Sequence, residues 1–248
     1  MRIGAIIIFM ILMSCFSGKA SADVRNENSE ASDYMRRYAR CMLTFSHRES
    51  VDLVTSMIDI EDFSKRFPQL VLRDAVIEVP ICQPALIIRL GAKVNFDGDP
   101  LRFALAESLI ERDWSGAEPV SFAVTPALPK LDAEPKAQFE ARLALVSSNV
   151  KRTRLRARYE RSLAMTWLAQ YGECIVRREP AASRMWVLAA LNNRDEAPAI
   201  SGLKSAFGEC LAVGEALKFN KDMLRGMVAV SYVRLASFSQ PLQFKAVR

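Results

Sequence analysis

Histidine occurs once in the 248 residues, as His47. A histidine-based metal cluster, and any mechanism that needs two imidazoles, are thereby excluded. A Ser, His, Asp arrangement built on His47 survives the counting, but no G-x-S-x-G nucleophile elbow accompanies it. The plainer expectation for His47 is a polar residue near a helix end, followed by Arg48 and Glu49. Glycine is scarce, with ten in the chain, and Gly91 and Gly98 stand alone, so no glycine-rich loop is present to cradle a phosphate. The cysteines show no C-x-x-C spacing, which removes the usual redox signature. Beyond the first residues no apolar run reaches the ~20 residues needed to span a bilayer. Acidic residues are plentiful, so a carboxylate pair for sugar hydrolysis is permitted, although nothing points to which pair.

What is present begins with a secretory pattern. Arg2 supplies a short positive region, Ile3 to Met13 an uncharged, mostly apolar stretch, and Ala20-Ser21-Ala22 a small-residue cleavage site. Cleavage there leaves Asp23 as the new N-terminus. A rival reading takes Leu12-Met13-Ser14-Cys15 as a lipoprotein site with Cys15 lipidated, and Met13 fits that motif poorly. Loss of residues 1–22 removes Arg2 and Lys19 and no acid, so the formal charge of +6 falls to +4 over 226 residues. That excess is too mild and too unfocused to call for nucleic acid.

Four of the five cysteines lie beyond the signal and fall into two similar stretches. Tyr38-Ala39-Arg40-Cys41 precedes Cys82 and then Gly91 to Arg102, with Phe96, Asp99 and Leu101. Tyr171-Gly172-Glu173-Cys174 precedes Cys210 and then Gly214 to Arg225, with Phe219, Asp222 and Leu224. Of the three possible pairings the repeat selects Cys41 with Cys82 and Cys174 with Cys210. Each bridge closes a loop of roughly 40 residues, worth about 3 to 4 kcal/mol of chain entropy. Such bridges place the protein in the periplasm, in the envelope or outside the cell.

Apolar spacing is helical almost throughout. Tyr34, Tyr38, Cys41, Met42 and Phe45 share one face, mirrored 133 residues later by Trp167, Tyr171, Cys174 and Ile175. Val51, Val54 and Ile58 mark a second helix, mirrored by Val187 and Leu191 after Pro180. Ile200, Leu203, Phe207, Cys210 and Leu211 form a third stripe, with Leu72, Val76, Val79 and Cys82 as its expected helical counterpart. Leu101, Ala104, Leu105, Ser108 and Leu109 match Leu224, Met227, Val228, Ser231 and Tyr232 at a constant offset of 123. The offset shrinks along the chain because the first stretch carries short insertions, which loops absorb easily. Phe139, Leu143, Val146 and Val150 suggest one further helix leading into a long basic one that begins near Arg152. Val71 to Ile77 and Val120 to Val124 are each compatible with a short strand.

Two polar features recur or cluster. Asp99 and Asp222 stand three residues before Arg102 and Arg225. The two arginines are either a paired anion site or, more plainly, partners of first-turn aspartates after the helix caps Asp97 and Asn220. Lys151, Arg152, Arg154, Arg156, Arg158, Arg161, Arg177 and Arg178 face only Glu160 and Glu173 over residues 151–178. Opposite the stripe Leu155, Tyr159, Leu163 and Trp167, the first six make a positive helical face, which is either simply solvated or suited to an anionic lipid surface, polysaccharide or protein. Trp114, Trp167 and Trp186 are candidates for a ligand cleft, with core the simpler place for the last two.

The stretch Tyr171-Gly-Glu-Cys-Ile-Val-Arg-Arg178, with Pro180 and Arg184, together with Leu217-Lys-Phe219 and Leu224-Arg-Gly226, resembles a family of small exported helical proteins of alphaproteobacteria that carry a two-cysteine unit, often twice. The resemblance covers positions 165–236. The first stretch departs from it, with Thr44-Phe45 where the second has Arg177-Arg178, and Phe103 where it has Gly226. It implies export and duplication, and no activity.

Taken together, these features lead us to expect an all-α protein of two homologous units of about four helices, each with one disulfide. Residues 1–22 are the signal, 33–113 the first unit, 114–150 a connector with one helix, 151–237 the second unit and 238–248 a tail. The expected role is a non-catalytic binding scaffold, without catalytic, metal or cofactor residues, with Arg152, Arg154, Arg156, Arg158 and Arg161 facing an acidic envelope protein or surface. A carboxylate-dependent envelope hydrolase is the alternative.

Overall fold

The run Leu224 to Ala236 is apolar apart from Arg225, Ser231 and Arg234, and a helix apolar all round belongs in an interior. In the computed structural model all thirteen of these residues are buried, and the helix carrying them is the axle of the fold. Residues 33–56, 71–73, 76–78, 82, 98–116, 120–129, 134–191, 196–211 and 221–239 are described. Ile58, Val79, Asp97 and Asn220 lie outside them.

Nine helices are found among the described residues. Helix α1 spans 33–45 and buries Tyr38, Ala39, Met42 and Leu43. Ser46 bonds back to Met42 O, so the chain passes almost without a break into α2, His47–Ser56. Strands β1, Val71–Arg73, and β2, Val76–Glu78, pair antiparallel, with Leu72 opposite Ile77. Helix α3, Gly98–Leu109, runs on into a single π turn, Ile110–Trp114. Helices α4, Lys136–Ala144, and α5, Asn149–Arg178, form a helical hairpin. After α6, Pro180–Leu191, come two short helices, α7, Ala197–Gly202, and α8, Lys204–Glu209. The axle is α9, Lys221–Ser239, which packs against α2, α3, α5 and α6.

Two close approaches let α9 sit so centrally. A Cβ added at Gly226 would lie 2.4 Å from Phe103 Cγ, so α9 and α3 touch where only hydrogen fits. At Gly172 on α5 a Cβ would come within 2.9 Å of Ser231 Oγ. The aromatic core continues the contact, with Tyr232 edge-on to Phe122 and Trp114. Both disulfides form as the repeat selects, Cys41 with Cys82 and Cys174 with Cys210, their Cα atoms 5.6 and 5.8 Å apart.

Four expectations are corrected. The helix expected through Leu72 and Val76 is instead the β1–β2 pair, because β-branched and other apolar residues in short alternation suit a pleated surface better than a helix. Val120 to Val124 forms no strand. Phe122 is buried in the core with Val120 packed half-buried against it, and the Phe122 carbonyl is taken by Arg177 rather than by a neighbouring strand. Phe139 through Val150 is two helices, divided where Ser148 caps α5 by accepting from Lys151 N. The third stripe of the second stretch is likewise split at Leu203, between α7 and α8.

Candidate functional site

The repeated arginines are drawn into the interior, while Asp99 is half-buried and Asp222 stays exposed. Asp99 and Asp222 occupy the first turns of α3 and α9, and the arginines one turn on reach back to them, at 3.3 Å for Arg102 and 2.9 Å for Arg225. Both arginines are buried. Arg102 also donates from Nε to Leu53 O at 3.2 Å, closing the end of α2. Arg225 donates from Nε to Glu107 Oε1 at 2.9 Å and lies 3.7 Å from Glu196. Carboxylates and a carbonyl of the protein itself therefore engage both forks, and this is the local reading rather than a paired anion site.

Burial pushes the Glu107 carboxyl above the usual range, against the pull of Arg225 and, more weakly, Arg36. Glu196 moves the other way. Its burial would raise it, but hydrogen bonds from Lys221 and Trp186 and the charge of Arg225 hold it below the usual carboxylate value. Sequence reading missed both acids. The one signal available was Arg225 inside an apolar helix, which demands a buried anion without saying where along the chain it lies.

A second polar set clamps the connector. Arg177 pairs with Glu173 and donates to the carbonyls of Phe122, Thr125 and Pro126, while Glu173 accepts from Leu128 N. Buried Arg234 donates to Pro129 O. Arg178 pairs with Glu209. Arg177 and Arg178, which follow the six residues of the basic face, are thus structural. His47 pairs with Asp113 at 3.1 Å, and Arg40 donates from Nε and Nη2 to the two carboxylate oxygens of Glu111. The three tryptophans pack: Trp114 and Trp186 are buried, and Trp167 stacks on Tyr171.

The basic face has a different environment. From Asn149 to Met165, the first buried residue of α5, the helix axis advances about 24 Å. Along that length α4 is the element that lies against it, with Phe139 stacked on Tyr159 at 4.0 Å and Leu155 half-buried. Residues 134–161 carry eight cations against three carboxylates, a net +5 of the chain's +6. The excess that looked diffuse in the whole sequence is concentrated on one helical hairpin. At its root Arg161 binds Asp99 at 2.9 Å, tying α5 to the first turn of α3 and sharing that carboxylate with Arg102. Arg142 is held by Glu134, and Arg152 by Asn149 Oδ1. Arg158 lies exposed near Arg142, and among the described residues no carboxylate pairs with Lys151, Arg154 or Arg156.

Among the described residues no cluster of three or more metal-ligating side chains occurs, and no helix is long and apolar enough to cross a membrane. Comparison with protein-family models, curated proteins and solved structures found no match to the chain.

Proposed function

We propose that this chain is an exported, disulfide-braced helical scaffold, built from a duplicated unit, that binds an acidic component of the cell envelope through the basic α4–α5 hairpin. The carrying observation is the placement of nearly the whole net charge on a projecting hairpin, with Lys151, Arg154 and Arg156 unanswered by acids among the described residues. A charged face that served only to solvate a helix would be expected to mix signs, whereas a single-sign field steers and holds an opposite charge.

Duplication is supported by the way equivalent positions meet. Gly226 and Phe103, 123 residues apart and matched in the repeat, are the residues at which α9 and α3 touch. Ser108 and Ser231, another matched pair, are both buried with hydroxyls that find no hydrogen-bond partner among the described residues. Export is supported by the two bridges, which persist in oxidising compartments.

A photo-crosslinking residue in place of Arg156, introduced in intact cells, tests the function. Conjugates to an acidic envelope component that disappear at high salt are expected, and the same probe at exposed Phe238 should yield none. Equal labelling from both positions contradicts the reading.

A further inference from the structure

The tip of the α4–α5 hairpin is not only basic. Leu145 is 86% exposed and Val150 62% exposed, and they flank the turn at the point of the hairpin farthest from the core. These two apolar side chains are left in water at the end of a positive arm, while the hairpin's own small core uses Phe139 and Leu143 from α4. The residues between them, half-buried Val146 and then Ser147, Ser148 and Asn149, carry no charge that would resist leaving water. Behind the tip come Arg142, Lys151, Arg152, Arg154 and Arg156, within about two turns of it.

That order, apolar point first and a collar of cations behind it, matches the cross-section of an anionic bilayer surface, with acyl chains inside and negative headgroups outside. It matches a polysaccharide less well, because a polysaccharide offers no apolar phase for Leu145 and Val150, and an acidic protein would have to supply an apolar pocket shaped to both in addition to its charge. Long arginine and lysine side chains can reach outward to headgroup phosphates while their stems lie along the apolar boundary. We infer that the α4–α5 tip is a peripheral membrane-docking element, in which Leu145 and Val150 enter the headgroup boundary of an anionic leaflet while Lys151, Arg154 and Arg156 engage its phosphates. This deepens the proposed binding of an acidic envelope component and rests on it.

The test is sedimentation of the purified, disulfide-bonded protein with sucrose-loaded vesicles of phosphatidylglycerol in phosphatidylcholine and of phosphatidylcholine alone. Wild type should sediment with the anionic vesicles and not with the neutral ones. The tip variant Leu145→Ser/Val150→Ser should lower the partition coefficient on the order of tenfold at unchanged charge, since about two apolar side chains lose their burial. Arg154→Glu/Arg156→Glu should abolish sedimentation. A third variant, Leu145→Trp, should blue-shift its emission on anionic vesicles alone, and because all these positions are exposed the fold is expected to persist. A tip variant that binds like wild type, while the charge reversal still abolishes binding, overturns membrane docking and leaves the electrostatic reading standing. So does retention on heparin without vesicle binding. If charge reversal changes neither vesicle nor heparin binding, both readings fall.

Discussion

At the scale of single residues, the buried pair of Glu107 and Arg225 decides how α3 and α9 are joined. Each side chain is almost wholly excluded from water, and removing Arg225 leaves the Glu107 carboxylate with Arg36 at 3.9 Å, whereas Arg225 keeps Asp222 and Glu196 when Glu107 is removed. Arg225→Met should destabilise the protein by about 3 to 5 kcal/mol, whereas adding Glu107→Leu should recover most of that loss in denaturant unfolding. Recovery separates a pair kept for registry from one that supplies net stability. Glu196 gives a pH signature of known sign. Its folded pKa lies below the ordinary value of 4.5, so its contribution is present above that value and is lost as the pH falls through the folded pKa. Acid unfolding of wild type should therefore steepen below about pH 4.5, and Glu196→Gln should flatten that limb. The contacts of Asp99 with Arg102 and of Asp222 with Arg225 were legible from their spacing, because a helix brings i and i+3 together. Glu107 and Glu196 were not legible, because they meet Arg225 across 118 and 29 residues of chain respectively, a distance that no local pattern reports.

At the scale of elements, stripes with several apolar residues per turn became helices, and the failures fall where local chemistry competes with periodicity. The Leu72 and Val76 run is short and β-branched, and pairing satisfied it. The break inside Phe139 to Val150 belongs to Ser148, whose hydroxyl favours starting a helix over continuing one. That break also makes the hairpin and leaves Leu145 and Val150 exposed at its turn, so a helix-cap residue overlooked in the pattern shapes the proposed docking tip. The contact of α3 with α9 yields a sharp prediction. Gly226→Ala places a methyl against Cγ and Cβ of Phe103, atoms close to the backbone that cannot swing away, and should lower stability by about 1 to 3 kcal/mol. Adding Phe103→Ala should relieve the clash, so that the double variant is less destabilised than the sum of the two single changes.

At the scale of the molecule, the two bridges hold α1 and α5 to segments about 40 residues further along the chain. Replacing either cysteine pair with serine should reduce stability by about 3 to 4 kcal/mol, read from the shift in denaturant midpoint at constant slope. The pairing was legible because the pattern occurs twice. The helical class was legible because its signal is repeated along most of the chain. The distribution of charge was only half legible: the cations could be counted, but their isolation on a projecting hairpin depends on where α5 enters the core, at Met165, and on which acids reach back toward them.

The most direct measurement is the salt dependence of binding to anionic vesicles for wild type and for Arg154→Glu/Arg156→Glu, with circular dichroism confirming equal folding. An anion-binding hairpin predicts wild-type affinity that falls steeply as salt rises, and loss of binding in the variant at every salt concentration. Equal affinity of the two proteins, or wild-type binding indifferent to salt, would contradict it.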